Sequence, residues 1–196
     1  VFDWWKAMLA GQFPEPLKLE LLEVVQSSSH PDLLALWQSY RGQFGNENEA
    51  ILPFEVLQGG DVQKGGILFN DRAEIACLRC HIAEGQGGVV GPALDGLGKR
   101  LDPSQILNAV LEPNESIVPG YASERFVMND EEEYSGVVLE ENDKRILIRQ
   151  GDGSSLSVAK NMLQQRFATL SPMPEGIASA LNHRELRDLI AYLKSL

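Results

Sequence analysis

Five consecutive residues constrain this chain more than any other stretch: Cys77-Leu78-Arg79-Cys80-His81. Two thiols three positions apart, with a histidine directly after the second, form the attachment signature of a c-type haem. Thiols add across the two vinyl groups of the porphyrin, and a two-residue spacer lets one turn of backbone present both sulfurs to the same edge. The next residue then falls beneath the iron, where a neutral imidazole nitrogen can coordinate it. Two other uses of Cys-x-x-Cys compete. A structural zinc site wants four ligands, and outside this motif the chain offers His30, His183 and no further cysteine. A redox dithiol leaves the adjacent histidine unexplained. Buried structural thiols without a cofactor are the remaining alternative.

The totals bound what such a site can serve. The chain has 196 residues, 28 of them acidic and 17 basic, for a formal charge of -11. That balance disfavours nucleic acid, whose binding rests on phosphate neutralisation. It favours a partner with a basic docking face, chiefly through the rate of association. No apolar stretch approaches the roughly 20 residues needed to span a bilayer. The opening Val1-Phe2-Asp3-Trp4-Trp5 lacks the charged start, apolar run and cleavage site of a signal peptide. Haem attachment of this kind takes place outside the cytoplasm in bacteria. The expectation is therefore an extracytoplasmic, periplasmic protein, either a mature form or a fragment of something longer.

Residues 1–56 have helical periodicity. Phe2, Trp5, Met8 and Leu9 share one spacing, ended by Gly11; Leu17, Leu21, Leu22, Val24 and Val25 form a second apolar side after Pro16. Pro31 opens a third helix with Leu33, Leu34, Leu36, Trp37 and Tyr40, and short connections make the last two an antiparallel pair. This segment is either the end of a helical-repeat region or a packing appendage of the haem domain. His30 lies in a polar turn and is expected at the surface. Residues 45–60 have linker composition, with Gly45, Asn46, Asn48, Pro53 and Gly59-Gly60.

The haem domain is expected over residues 57–196. Asp61 can cap a helix running towards Asn70. Gly65-Gly66 inside it is costly, about 1 kcal/mol per glycine, unless another helix approaches closely. The candidate is the last helix, Glu185 to Leu196, with Leu186, Leu189, Ile190 and Leu193 buried and Asn182 as cap. Asp102-Pro103-Ser104 starts a further helix that ends before Pro113. From about 123 to 168 the period changes to two, through Phe126, Met128, Tyr134, Val138, Ile146, Ile148, Leu156 and Val158. This predicts a small antiparallel β-meander of about four strands, open to closing as an SH3-like barrel. It serves either as a packing flap or as a docking surface.

Ser171-Pro172-Met173-Pro174-Glu175-Gly176 is the second informative stretch. Met173 stands between two prolines, whose fixed φ angles lower the entropy lost in holding its sulfur in one place. Met8, Met128 and Met162 read as packing, and His183 competes with Met173 for the second axial position.

At Gly91-Pro92-Ala93-Leu94, after the glycine-rich run 84–91, the chain resembles class I cytochromes c. The resemblance implies that the Pro92 carbonyl accepts a hydrogen bond from the free ring nitrogen of His81, and that Met173 is the distal ligand. A ligating imidazole does normally donate its other N–H to such an acceptor. Taken with Gly59-Gly60-Asp61, Met173-Pro174-Glu175-Gly176 and residues 185–193, the chain resembles the haem-binding domain of large Planctomycetes and Verrucomicrobia proteins. In that family the domain follows a dehydrogenase-like β-propeller and helical repeats.

The expected fold class is mainly α: a class I cytochrome c-like helical haem domain, an inserted β-meander and an N-terminal helical segment. The expected function is electron transfer, not turnover, by one haem c bound through Cys77, Cys80, His81, Pro92 and Met173, with His81 and Met173 on the iron. A redox partner protein or a fused dehydrogenase domain would supply or accept the electron. The alternative is a haem enzyme or gas sensor with an exchangeable distal ligand.

Overall fold

A computed structural model of the chain describes residues 1–43, 53–168 and 170–196. In chain order the helices are α1 (Phe2–Leu9), α2 (Lys18–Gln26), α3 (Pro31–Gly42), α4 (Val62–Asp71), α5 (Cys77–Cys80), α6 (Leu97–Arg100), α7 (Pro103–Leu111) and α8 (His183–Ser195). The strands are β1 (Ile82–Ala83), β2 (Gln86–Gly87), β3 (Ser123–Met128), β4 (Glu133–Glu141), β5 (Arg145–Arg149), β6 (Ser155–Ala159) and β7 (Leu163–Ala168). Gly45, Asn46 and Asn48 of the expected linker lie outside the described residues. Among the described residues, no helix is long and apolar enough to cross a membrane.

The chain divides into two compact units. The first joins Val1–Gly66 to Leu181–Tyr192, and the second joins Ile67–Ala180 to Leu193–Leu196.

In the first unit, α1 buries Trp5 and Met8, while Phe2 and Leu9 of the same stripe stay exposed. α2 buries Leu19, Leu21, Leu22 and Val25 and packs on α3. His30 caps α3, its ring Nδ1 accepting from the Asp32 amide at 3.3 Å. At α4, Asp61 Oδ1 accepts from the Gln63 and Lys64 amides at 3.0 and 3.1 Å. This start lies against α8. A Cβ on Gly65 would stand 2.6 Å from the Asp188 carbonyl carbon and 2.7 Å from Tyr192 Cβ, so only hydrogen fits there. The Asp61 amide donates to Asp188 at 2.8 Å. Arg184 and Arg187 of α8 pair with Glu23 and Glu20 of α2 at 2.6 and 2.7 Å. α8 starts in a reciprocal cap, Asn182 with Glu185, both bonds at 2.9 Å.

The second unit holds a five-stranded antiparallel sheet in the order β6-β5-β4-β3-β7. Phe126, Met128, Ile146, Ile148 and Val158 form its buried cluster, with Tyr134, Val138, Leu156 and Leu163 packed against it. Met162, expected as packing, is exposed on the turn before β7. α7 starts in a full capping box between Asp102 and Gln105.

This architecture overturns the mainly-α expectation. Of the described residues, 44% are helical and 19% lie in strands, and a class I cytochrome c-like helical arrangement is not evident. α5, which carries the cysteine motif, and α6 after it are single turns of four residues, whereas the sheet has five strands where about four were expected. β7 supplies the fifth. Its Gln164, Gln165 and Arg166 face solvent on a sheet edge, so the strand carries no apolar alternation.

Candidate functional site

α5 is one helical turn, and it places Cys77 and Cys80 three residues apart, neighbours on one face. The turn is entered through Ala76, whose φ of 43° lies in the left-handed region that a Cβ disfavours. Its amide is held by the Arg72 carbonyl at 2.9 Å. Both thiols are unpaired and half-buried. Burial, reinforced by the neighbouring Cys80, pushes the Cys77 thiol up to about 11. A dithiol poised for exchange carries the opposite shift, which counts against Cys77 as an exchange nucleophile. Among the described residues no group of three or more His, Cys, Asp and Glu is gathered as a metal site.

The backbone after α5 folds back on it. β1 and β2 pair through a two-residue turn, Glu84 and Gly85, both at positive φ. The glycine run then lies along the motif, with Gly88, Gly91 and Leu94 amides donating to the Leu78, Cys80 and Ile82 carbonyls at 2.9, 2.8 and 2.8 Å. A Cβ on Gly88 would meet the Arg79 carbonyl carbon at 2.7 Å, and one on Gly91 would meet the His81 ring at 2.5 Å. These glycines allow a second chain segment to lie at hydrogen-bonding distance from the motif.

The result is a fixed imidazole. His81 Nδ1 donates to the Pro92 carbonyl at 2.8 Å. A carbonyl can only accept, so Nδ1 carries the hydrogen and Nε2 keeps its lone pair. Burial holds the imidazolium pKa below its ordinary value, against the opposing pull of the Pro92 carbonyl. The neutral ring that a metal requires is therefore the favoured form.

Met173 is placed by its own loop. It is half-buried, and its amide donates to Ser171 Oγ at 3.2 Å. Ser171 in turn donates its amide to Asn114 Oδ1 at 2.7 Å. His183, the competing ligand, is the first residue of α8 and belongs to the first unit, whereas His81 belongs to the second. The structure thus joins Cys77, Cys80, His81 and Pro92 in one continuous segment, with Met173 on a separate loop. A cavity of about 420 Å³ opens beside the motif, lined by Asn70, Arg72, Ala76, Leu78, Arg79 and Gly88 among others. His81, Pro92 and Met173 do not line it, so the imidazole site is not built around that cavity.

Two residues without a sequence signal bear on the site. Arg149 of β5 donates to the Val89 carbonyl at 2.6 Å, bracing the glycine run from the sheet. Asn114 reaches the Met173 loop across 57 positions of sequence. Neither is marked by its neighbours in the chain, because each partner is a distant backbone group.

The residues present fit a covalently attached haem. Two thiols stand one turn apart, an imidazole with a free Nε2 follows, and Gly91 has no Cβ to crowd that ring. Compared with known proteins, the chain matches no family model and no curated relative.

Proposed function

We propose that this chain is a c-type cytochrome that carries single electrons, as its resemblance to the Planctomycetes and Verrucomicrobia haem-binding domains implies. Cys77 and Cys80 would hold a haem through two thioethers, and His81 Nε2 and the Met173 sulfur would bind its iron. The haem, when bound, supplies the one-electron ferric–ferrous couple. The remaining work belongs to the chain. The Pro92 carbonyl fixes the ring plane of His81 and raises its donor strength. The glycine run holds that carbonyl in register. A soft thioether from Met173 would favour the reduced state of the bound iron. The net charge of -11 suits a redox partner, or a fused dehydrogenase domain, with a basic docking face. Attachment chemistry of this kind implies an extracytoplasmic location.

The observation that carries the reading is the His81–Pro92 bond directly after the paired thiols. The test is secretion of the chain in a host with cytochrome c maturation, followed by intact mass and a pyridine haemochrome spectrum. One haem adduct, reduced by Cys77→Ser or Cys80→Ser, is expected. A colourless protein of unmodified mass overturns the proposal. Met173→Ala should keep the adduct, lower the reduction potential and remove the weak long-wavelength ferric absorption expected of sulfur ligation. Rapid carbon monoxide binding to the unmutated ferrous protein would instead indicate an exchangeable distal position.

A further inference from the structure

The loop that carries Met173 is held on both sides by the carboxamide of Asn114. Asn114 Oδ1 accepts from the Ser171 amide at 2.7 Å, and Asn114 Nδ2 donates to the Glu175 carboxylate. The two contacts fall two residues before and two residues after Met173. Between them, Ser171 Oγ accepts from the Met173 amide at 3.2 Å. Asn114 is itself anchored. Pro113 before it is buried, Glu115 after it accepts from the Asn108 side chain of α7, and the Glu115 amide donates to the Glu112 carbonyl at 3.0 Å. Immediately past the loop, the turn Ile177–Ala180 packs on α7. Both ends of the loop therefore refer to the same capped helix.

Two prolines restrict φ within the loop, yet they do not say where the loop lies. A thioether is a weak ligand, so its hold depends on how much of the time the sulfur is presented. We propose that Asn114 is the positioning residue for Met173: its carboxamide pins the loop at both shoulders and so sets how firmly the sulfur stays on the iron. This rests on the haem-binding function proposed for Cys77, Cys80, His81 and Met173. The Asn114 side chain is not itself a ligand and needs no contact with the cofactor to act.

The experiment uses the full haem-loaded chain, with imidazole as a competing ligand for the ferric form. Asn114→Ala removes two hydrogen bonds, and imidazole should then bind about tenfold tighter or more. The long-wavelength ferric absorption should weaken, while haem content by mass stays at one. The double variant Asn114→Asp with Glu175→Gln keeps the acceptor for Ser171 and reverses the second bond. It should return imidazole affinity to the unmutated value, which a loss of general stability would not do. Unchanged imidazole affinity in Asn114→Ala, alongside a large gain in Met173→Ala, overturns the role of Asn114 and leaves the ligand assignment standing. No gain in Met173→Ala, or no haem adduct at all, overturns both. Should Asn114→Ala fail to accumulate, amide exchange in the unmutated protein decides. The Ser171 amide should be protected, and exchange at the rate of an open loop overturns the proposal.

Discussion

Gly91 is where one added methyl group meets the site most directly. A Cβ there would lie 2.5 Å from His81 Cε1 and 2.7 Å from Nδ1, closer than any carbon contact tolerates. Gly91→Ala must move either the imidazole or the segment that carries the Pro92 carbonyl. The expected cost is roughly 1–3 kcal/mol, as for other overpacked sites. It should be read as shifted His81 ring resonances and a lower fraction of protein with haem attached. In the first unit, Tyr40 donates to Glu55 at 2.6 Å, and Arg41 lies 3.9 Å from the same carboxylate. Burial raises the Tyr40 hydroxyl well above its ordinary range, with the Glu55 bond adding to the effect, so the phenol stays a donor throughout the working pH range. Tyr40→Phe leaves a buried carboxylate one donor short, at about 1–3 kcal/mol, measurable by urea unfolding. Of the site residues, Pro92 is legible in sequence because Gly-Pro-x-Leu follows the motif at short range. Asn114 is not, since nothing in Pro113-Asn114-Glu115 names a partner 57 positions away.

At the scale of elements, helix starts were the most readable feature, because a cap is a local code. Asp61, Asp102 and Asn182 each bond amides two or three residues on. The Asp61 and Asp102 carboxyls are held below their ordinary values, first by the Lys64 and Gln105 amides respectively. A depressed folded value means stability that is present above the unfolded pKa of about 3.9 and is lost as pH falls through the folded one. Asp102→Asn keeps the cap acceptor without titrating. It should flatten the acid limb of unfolding midpoint against pH, and an unchanged limb would count against this cap as a contributor. Gly65→Ala in α4 gains about 1 kcal/mol of helix propensity but drives a methyl group into the Asp188 carbonyl. Net destabilisation is expected, seen as a lower thermal midpoint. What stayed hidden were elements without a local code. β7 is solvated along almost its whole length, and short single-turn helices near the motif share the second unit with a sheet larger than its alternating residues suggested. The long periodic helices therefore dominate the sequence signal, although the folded chain also holds a five-stranded sheet.

At the scale of the whole molecule, the two units do not follow the order of the chain. α8 lies mostly in the first unit, although it is last in sequence, and only Leu193–Leu196 belong to the second. Arg187 is 8% exposed and finds its counter-charge on Glu20, far earlier in the sequence. A gene fragment beginning at residue 57 would thus keep the whole thiol–imidazole segment and still orphan two guanidinium groups. It should come out of expression as aggregate, where the 196-residue chain stays dispersed on size exclusion. Recombination could not trade residues 1–56 as a cassette, and any shuffling event that preserved this pairing would have to carry α2 and α8 together.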